Sequence, residues 1–180
     1  VQGYARIVDP WTVEITKDNG DKQRLTTRNI IIATGARPFV PPLPGIEDAG
    51  YVTSDTMWES FAQLDAPPAR LVVLGGGPIG CELAQSFARL GSHVIQIEMA
   101  ARIMVREDVE VSVLAEAALQ RDGVEILTNH KALRCEKEWQ NGVETKYIVV
   151  EHQGVEKRIA FDALLCAVGR VARLTGFGLE

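Results

Sequence analysis

The sequence predicts an α/β protein in which helices pack against a parallel sheet and an antiparallel β-meander is added to it. Three observations support this prediction. An apolar strand, a glycine-rich turn and an amphipathic helix follow one another between residues 70 and 98. A second helical pattern and a short apolar strand follow between residues 107 and 127. Turn signals at Asn141-Gly142 and Gln153-Gly154 then separate three strand-like segments, which is typical of hairpins.

The first 37 residues have the pattern of short strands. Alternating or β-branched residues predict strands at 4–8 and 11–16, and the run DNGD at 18–21 is a turn signal between strands. The apolar, β-branched run at 28–33 predicts a buried strand.

Residues 38–69 are predicted to be a stiff connector, because they hold six of the eight prolines: Pro38, Pro41, Pro42, Pro44, Pro67 and Pro68. One short helix is expected around 54–64, with Ser54 or Asp55 as its N-cap.

The segment 70–98 has the pattern of a dinucleotide-binding βαβ unit of the Rossmann type, because Gly75, Gly77 and Gly80 follow its first strand. We expect Gly75 to permit the tight turn, Gly77 to let backbone approach a pyrophosphate and Gly80 to let the helix pack closely. The helix N-terminus would present free N–H groups to phosphates. Glu98 ends the second strand, 23 residues after Gly75, near the usual spacing for an acid that binds the adenosine ribose 2′-hydroxyl.

The helix that follows the glycines has apolar residues on one predicted face at Ile79, Leu83, Phe87 and Leu90, and Gly91 is expected to end it. The strand at 93–97 comes next. Two other interpretations of the motif remain open here. One is a glycine-rich turn without a ligand, and the other is a methyltransferase, whose second strand also ends on a ribose-binding acid.

The remaining elements follow in order along the chain. A helix is predicted at 107–120, with acids at its start and Arg121 at its end. Strands are predicted at 124–127, 132–138, 147–151, 157–161 and 163–168. The Rossmann-like unit therefore spans about 70–170.

Composition sets limits on the function. The net charge of −5 argues weakly against a nucleic-acid or anionic-membrane surface, and no apolar stretch is long enough for a membrane span. Cys81, Cys135 and Cys166 have spacings that fit no metal site and are read as buried residues of a reducing, cytoplasmic compartment. A lowered thiol pKa at Cys81, near a helix N-terminus, is the alternative.

Three segments occur in a fixed order along the chain: IIIATGARP at 30–38, GGGPIGCELA at 75–84 and DALLCAVGR at 162–170. Together they resemble the flavoprotein pyridine nucleotide-disulfide oxidoreductases, such as dihydrolipoamide dehydrogenases, mercuric reductases and glutathione reductases. The resemblance implies that 1–37 is the tail of an FAD-binding domain, 38–69 a connector, 70–170 the NAD-binding domain and 171–180 the start of the return to the FAD domain. The segment at 169–172, GRVA, departs from the family's GR-x-P-N.

The resemblance also implies the residues that contact cofactors. NAD would lie along Gly75, Gly76, Gly77, Pro78, Ile79, Gly80, Glu82 and Glu98. Ile79 would lie near the nicotinamide or simply in the core, and Glu82 would meet the nicotinamide amide, a lysine of the flavin domain, or solvent. Ala132 and Gly169 would flank adenine and nicotinamide, or serve as a small core residue and a turn glycine. Thr34, Gly35 and Ala36 would contact FAD in the intact protein.

Glu98 favours NADH over NADPH, because a carboxylate accepts bonds from ribose hydroxyls and repels a 2′-phosphate. Arg102 and Arg106 follow Glu98, as arginines do in NADPH-dependent relatives, but they fit a charged loop better. No catalytic and no metal-binding residue is assigned.

The parent is therefore expected to be an FAD-dependent oxidoreductase, a homodimer formed through a C-terminal domain, with a role in cell redox homeostasis. It would pass hydride from NADH to FAD and on to a disulfide or similar acceptor, while this chain alone would bind nucleotide without turnover. The alternatives are a non-disulfide flavoenzyme of the NADH oxidase or ferredoxin reductase type, or a non-catalytic nucleotide-binding module.

Overall fold

Residue contacts in the computed structural model, which describes residues 1–180, divide the chain into two units. The first consists of Val1–Arg37 together with Val171–Glu180, and the second of Pro38–Arg170. The predicted connector therefore belongs to the second unit.

The first unit is built on an antiparallel sheet of three strands in chain order, β1 (Tyr4–Asp9), β2 (Thr12–Thr16) and β3 (Lys22–Thr26). The predicted turn at 18–21 is present: the Lys17 N–H donates to Asp21 O at 2.9 Å, and Gly20 has a φ of +86°. Glu14 on β2 forms ion pairs with Lys22 and Arg24 on β3, at 2.9 and 3.0 Å. These charge pairs lie across the hairpin and fit its register.

The buried strand predicted at 28–33 is wrong. Residues 27–35 form no regular element, and Ile31 is 90% exposed. An apolar, β-branched run forms a strand only where a neighbouring strand takes its N–H and C=O groups, and no strand of the chain pairs with this segment. The next strand is instead β4 (Ala36–Pro38), which pairs with the last strand of the chain, β13 (Arg170–Ala172).

The connector contributes structure of its own. It contains α1 (Ile46–Ala49), β5 (Val52–Thr53) and α2 (Met57–Phe61). The helix expected around 54–64 is confirmed as α2, although its N-cap is Thr56 and neither Ser54 nor Asp55. Ile46, Ala49 and Met57 are at most 3% exposed, so this segment packs into the core.

A five-stranded parallel sheet forms the centre of the second unit, which confirms the α/β prediction. Its order is β5-β12-β6-β7-β8, and every neighbouring pair is parallel. The remaining bounds are β6 (Arg70–Leu74), β7 (His93–Ile97), β8 (Glu125–Leu127) and β12 (Ala163–Cys166). The carboxyl ends of these strands meet at one edge of the sheet, where such folds place their ligands.

Two helices cover one face of this sheet. The first, α3 (Pro78–Arg89), buries Gly80, Cys81, Ala84 and Phe87, and the second, α4 (Val109–Arg121), begins after the N-cap Asp108. Both belong to one apolar core with Leu71, Val73 and Val94. Leu90, predicted on the apolar face of α3, is instead the C-cap residue and is 64% exposed.

The other face of the sheet packs against the predicted meander. Its strands are β9 (Lys131–Gln140), β10 (Val143–His152) and β11 (Val155–Phe161), all antiparallel. Both predicted turns are present, with left-handed backbone at Asn141-Gly142 and Gln153-Gly154, as two-residue hairpin turns require. None of the helices has the length and apolar composition of a membrane span.

Candidate functional site

The glycine turn after β6 has the geometry expected of a phosphate-binding loop. Gly75 has a φ of +114°, and a Cβ there would lie 2.5 Å from the carbonyl oxygen of Ala167. A Cβ on Gly80 would lie 2.3 Å from the carbonyl oxygen of Gly75. A Cβ on Gly77 would meet no atom within 4 Å. Gly75 and Gly80 are therefore required by the packing of strand and helix, whereas Gly77 faces open space that a ligand can enter.

The helix α3 begins directly at this open side. Pro78 occupies its first turn, where the missing N–H would have no intrahelical partner in any case. Gly77 is the N-cap residue, in extended backbone with a φ of −78°. Ile79 is half-buried and Glu82 is exposed. With twelve residues, α3 is long enough for its dipole to favour an anion at this end.

Glu98 follows β7 and turns back toward the glycine loop. One carboxylate oxygen accepts the N–H of Gly76 at 2.7 Å, and the other accepts the N–H of Ala100 at 2.7 Å. Bonds from N–H groups to a charged carboxylate are among the stronger hydrogen bonds in proteins. The carboxylate is therefore fixed beside the loop, at the place that the βαβ pattern assigns to the ribose-binding acid.

Hydrogen bonds from residues of the loop after Glu98 hold that loop in place. The Met104 N–H donates to the carbonyl of Gly76 at 2.7 Å. The Arg102 guanidinium donates to the carbonyls of Met104 and Val105, each at 3.0 Å. It also donates to the hydroxyl of Ser112 on α4, and Ser112 is only 1% exposed. Arg102 is thus engaged with its own loop, while Arg106 is exposed.

Gln96 is a site residue that the sequence analysis missed. It is fully buried in β7, and its Nε2 donates to the carbonyl of Gly75 at 3.0 Å and to the sulfur of Cys81 at 3.5 Å. The Cys81 thiol in turn donates to the carbonyl of Gly76 at 3.5 Å. A signal was present, because a central parallel strand is normally apolar throughout and a glutamine interrupts the run HVIQI.

Gly169 and Ala132 each lie close in the chain to a residue that contacts the glycine loop or Glu98. Gly169 follows β12 by three residues, and the preceding Ala167 is the residue against which Gly75 packs. Ala132 is half-buried in β9, two residues beyond His130, whose N–H donates to the carbonyl of Glu98 at 3.0 Å. Their roles beside nicotinamide and adenine stay predictions.

Thr34, Gly35 and Ala36 belong to the first unit. The Thr34 hydroxyl donates to the carbonyl of Arg173 at 2.7 Å, and the Arg173 N–H donates to Gly35 O at 3.0 Å. Thr34 and Gly35 line a groove of 460 Å³ together with Ile32, Ala33, Ala172, Arg173, Leu174, Phe177 and Leu179. Most of the lining is apolar, so the groove suits a largely apolar group. The predicted FAD contact falls here and stays a prediction.

The cysteines are buried free thiols, as predicted. Burial raises the pKa of Cys135 to about 11 and that of Cys166 to about 12. Burial also raises the pKa of Cys81, which is opposite in direction to the lowering that activation by a helix N-terminus would produce. The chain contains no cluster of three or more His, Cys, Asp or Glu side chains that could hold a metal ion.

Comparison with known proteins supports these observations. A family model described as pyridine nucleotide-disulphide oxidoreductase matches residues 2–180. A mercuric reductase from Staphylococcus aureus is 34% identical over the whole chain, and so is a dihydrolipoyl dehydrogenase from Thermus scotoductus. Among solved structures, the HOCl-induced flavoprotein disulfide reductase RclA from Escherichia coli has a TM-score of 0.74 at 29% identity and covers 98% of the chain.

The chain spans only part of these proteins. It corresponds to 30% of the staphylococcal mercuric reductase, 37% of the dihydrolipoyl dehydrogenase and 37% of the RclA structure. The likeness therefore concerns about a third of each relative.

Proposed function

The chain belongs to the pyridine nucleotide-disulphide oxidoreductase family, and from this premise we propose that it is the part of a flavoprotein oxidoreductase that binds NAD(H). In the full-length protein, the nucleotide would deliver hydride to FAD, which passes electrons to a disulfide or similar acceptor. The chain by itself binds nucleotide and turns nothing over.

One observation carries the proposal: the Glu98 carboxylate is hydrogen-bonded to the Gly76 N–H, directly beside the open position at Gly77. This pairs a ribose-binding acid with a backbone that admits a pyrophosphate, the two features that a dinucleotide site needs. Pro78 and Ile79 continue from this position into α3, whose N-terminal end supplies positive dipole to the phosphates.

We further propose that NADH is preferred over NADPH. A 2′-phosphate at the adenosine ribose would face the Glu98 carboxylate, and like charges brought together at a binding site oppose binding by several kcal/mol. Arg102 could offset this repulsion only by leaving its bonds to Met104, Val105 and Ser112.

In the first unit, Thr34 and Gly35 would contact the flavin nucleotide, for which the lined groove is the candidate surface. The proposal includes a homodimeric parent in the cytoplasm. The cytoplasmic location is supported by three buried free thiols, which are typical of a reducing compartment.

Calorimetric titration of the chain with NADH and NADPH tests the proposal. We expect saturable binding of NADH and binding of NADPH that is about tenfold weaker or worse. Absence of NADH binding would refute the nucleotide site, and equal affinities would refute the preference.

Identification of the electron acceptor requires an assay of the full-length protein. NADH-dependent reduction of a disulfide is expected, whereas activity with dioxygen or a ferredoxin alone would favour the non-disulfide flavoenzyme. A full-length protein that binds NADH but reduces no acceptor would favour a nucleotide-binding module.

A further inference from the structure

The side-chain amide of Gln96 contacts the glycine loop. Its nitrogen has hydrogen-bond partners, whereas its oxygen has none. Nε2 donates to the carbonyl of Gly75 and to the sulfur of Cys81. Oε1 is fully buried and has no partner. The opposite orientation of the amide would place Oε1 against the Gly75 carbonyl oxygen, and two acceptors repel. A buried acceptor without a partner is unfavourable, so the contribution of this side chain lies in its donor group.

That donor determines the direction of a peptide plane. Every peptide bond of the chain is trans, so the carbonyl of one residue and the N–H of the next point in opposite directions. Because Gln96 holds the carbonyl of Gly75 on the inner side, the N–H of Gly76 is directed outward. There it donates to the Glu98 carboxylate at 2.7 Å. Gln96 therefore acts on Glu98 through a single peptide unit.

The next peptide is held in the same way. The carbonyl of Gly76 accepts the Met104 N–H at 2.7 Å and the Cys81 thiol at 3.5 Å. The N–H of Gly77 is thereby directed away from both groups. Gly80 makes room for this arrangement, because a Cβ there would lie 3.2 Å from Gln96 Nε2. On the inner side of the loop, hydrogen bonds therefore connect the Gln96 amide with the Gly75 carbonyl and, through the Cys81 thiol, with the Gly76 carbonyl.

We propose that Gln96 is a positioning residue that sets the selectivity for NADH over NADPH by holding the Gly75–Gly76 peptide, and hence the Glu98 carboxylate, in place. The inference rests on the proposed function, in which Glu98 meets the adenosine ribose. A carboxylate bonded at both oxygens cannot rotate away from a 2′-phosphate, so it weakens the binding of NADPH. Without the Gln96 donor, the peptide is free to rotate, and Glu98 loses one of the two bonds that fix it.

The test is a double-mutant cycle in the 180-residue chain. Gln96→Met has a similar length and no donor, and Glu98→Ala removes the group through which Gln96 is proposed to act. We expect Gln96→Met to lower the ratio of NADPH to NADH dissociation constants about tenfold, since residues in one hydrogen-bond network couple. In the Glu98→Ala background, Gln96→Met should leave that ratio unchanged.

Two further variants serve as a control and as a replacement for Gln96→Met. Gln85→Met removes an amide of α3 that bonds Asp122 and does not contact the glycine loop, so it should leave the ratio unchanged. Gln96→Asn retains an amide but withdraws it by one methylene from Gly75, so it should reproduce the effect of Gln96→Met if that variant is too unstable to titrate.

The outcomes separate the two claims. If Gln96→Met weakens both nucleotides equally, or changes the ratio equally with and without Glu98, Gln96 is a packing residue and the inference is wrong. If the unmodified chain binds neither nucleotide, the proposed function is itself wrong, and the inference falls with it.

Discussion

The carboxylate of Glu98 lies 2.7 Å from the backbone nitrogen of Gly76, so the acid that ends β7 and the turn that ends β6 are joined directly. The Ala100 N–H holds the second oxygen at the same distance. The acid is consequently in position before any nucleotide arrives, which reduces the ordering that binding would otherwise require.

Glu98→Ala should weaken NADH binding about tenfold to hundredfold, because hydrogen bonds to a charged group are lost. The same change should improve NADPH binding relative to NADH, since the repulsion of the 2′-phosphate disappears. Calorimetric titration with both nucleotides measures the two effects. Glu59→Gln, on the exposed side of α2, is the control and should alter neither affinity. Unchanged selectivity in Glu98→Ala would contradict the role of this acid.

Gly77→Ala and Gly80→Ala should separate binding from stability. Gly77 has ordinary extended backbone and open space around its Cβ position, so alanine should leave the melting temperature nearly unchanged while its methyl group obstructs the nucleotide. Gly80→Ala places a methyl group 2.3 Å from Gly75 O and should destabilise the fold by about 1–3 kcal/mol. Thermal unfolding and NADH titration of both variants check this. A stable Gly80→Ala protein would show that α3 can move outward freely.

Arg102→Ala should act on stability and leave cofactor choice alone. Its guanidinium donates to the carbonyls of Met104 and Val105 and to the buried Ser112 hydroxyl, so its loss removes three hydrogen bonds, at a cost of about 1–3 kcal/mol. The Met104 carbonyl keeps one donor, the Ser112 hydroxyl. Arg106→Ala, at an exposed position, should be neutral. Urea unfolding gives the stability, and the ratio of NADPH to NADH affinities gives the selectivity. A large change of that ratio in Arg102→Ala would assign this arginine to the nucleotide.

The ion pair between Asp162 and Arg70 should make the fold less stable in acid. The hydrogen bonds of Asp162 with Arg70, the shortest at 2.6 Å, lower the pKa of the Asp162 carboxyl below its ordinary value of 3.8. Since the pKa is lower in the folded state, the contribution is complete above the ordinary value and is lost as the pH falls through the folded value. Both side chains are partly exposed, so the effect should be at most about 1 kcal/mol.

The measurement for this prediction is the free energy of unfolding in urea between pH 7 and pH 2.5. Asp162→Asn should lower stability at pH 7 and flatten the decline below pH 4. Asp65→Asn, an exposed position in the connector, should follow the unmodified chain at every pH. Parallel curves for Asp162→Asn and the unmodified chain would contradict the contribution of this ion pair.

The local signals in the sequence were sufficient where the structure is locally determined. The strand at 93–97 is found at the predicted residues, and both left-handed hairpin turns of the meander lie where their sequences indicated. Gly75 and Gly80 also meet the close contacts that the motif requires. For the two hairpin turns, neighbouring residues alone decide the backbone conformation.

The sequence was a poorer guide where distant partners decide. The run at 28–33 has strand composition but finds no strand to pair with, whereas the two residues of β5 join the sheet because Leu165 and Cys166 offer them a parallel edge. Gln96 stands out in the sequence only as an exception to an apolar strand. Its partner, the carbonyl of Gly75, lies 21 residues away and becomes visible only when the turn is built.

Because Cys81 is buried against the glycine loop, the rate at which its thiol is labelled should report how often the glycine turn opens. An alkylating reagent needs both access and a thiolate, and the Cys81 thiol is 7% exposed with a pKa that burial raises, so the folded turn limits both. Labelling at Cys81 therefore proceeds only as fast as the turn opens. A nucleotide that holds the turn shut would slow that labelling, which gives a readout of occupancy that requires no absorbance change in the nucleotide and no turnover.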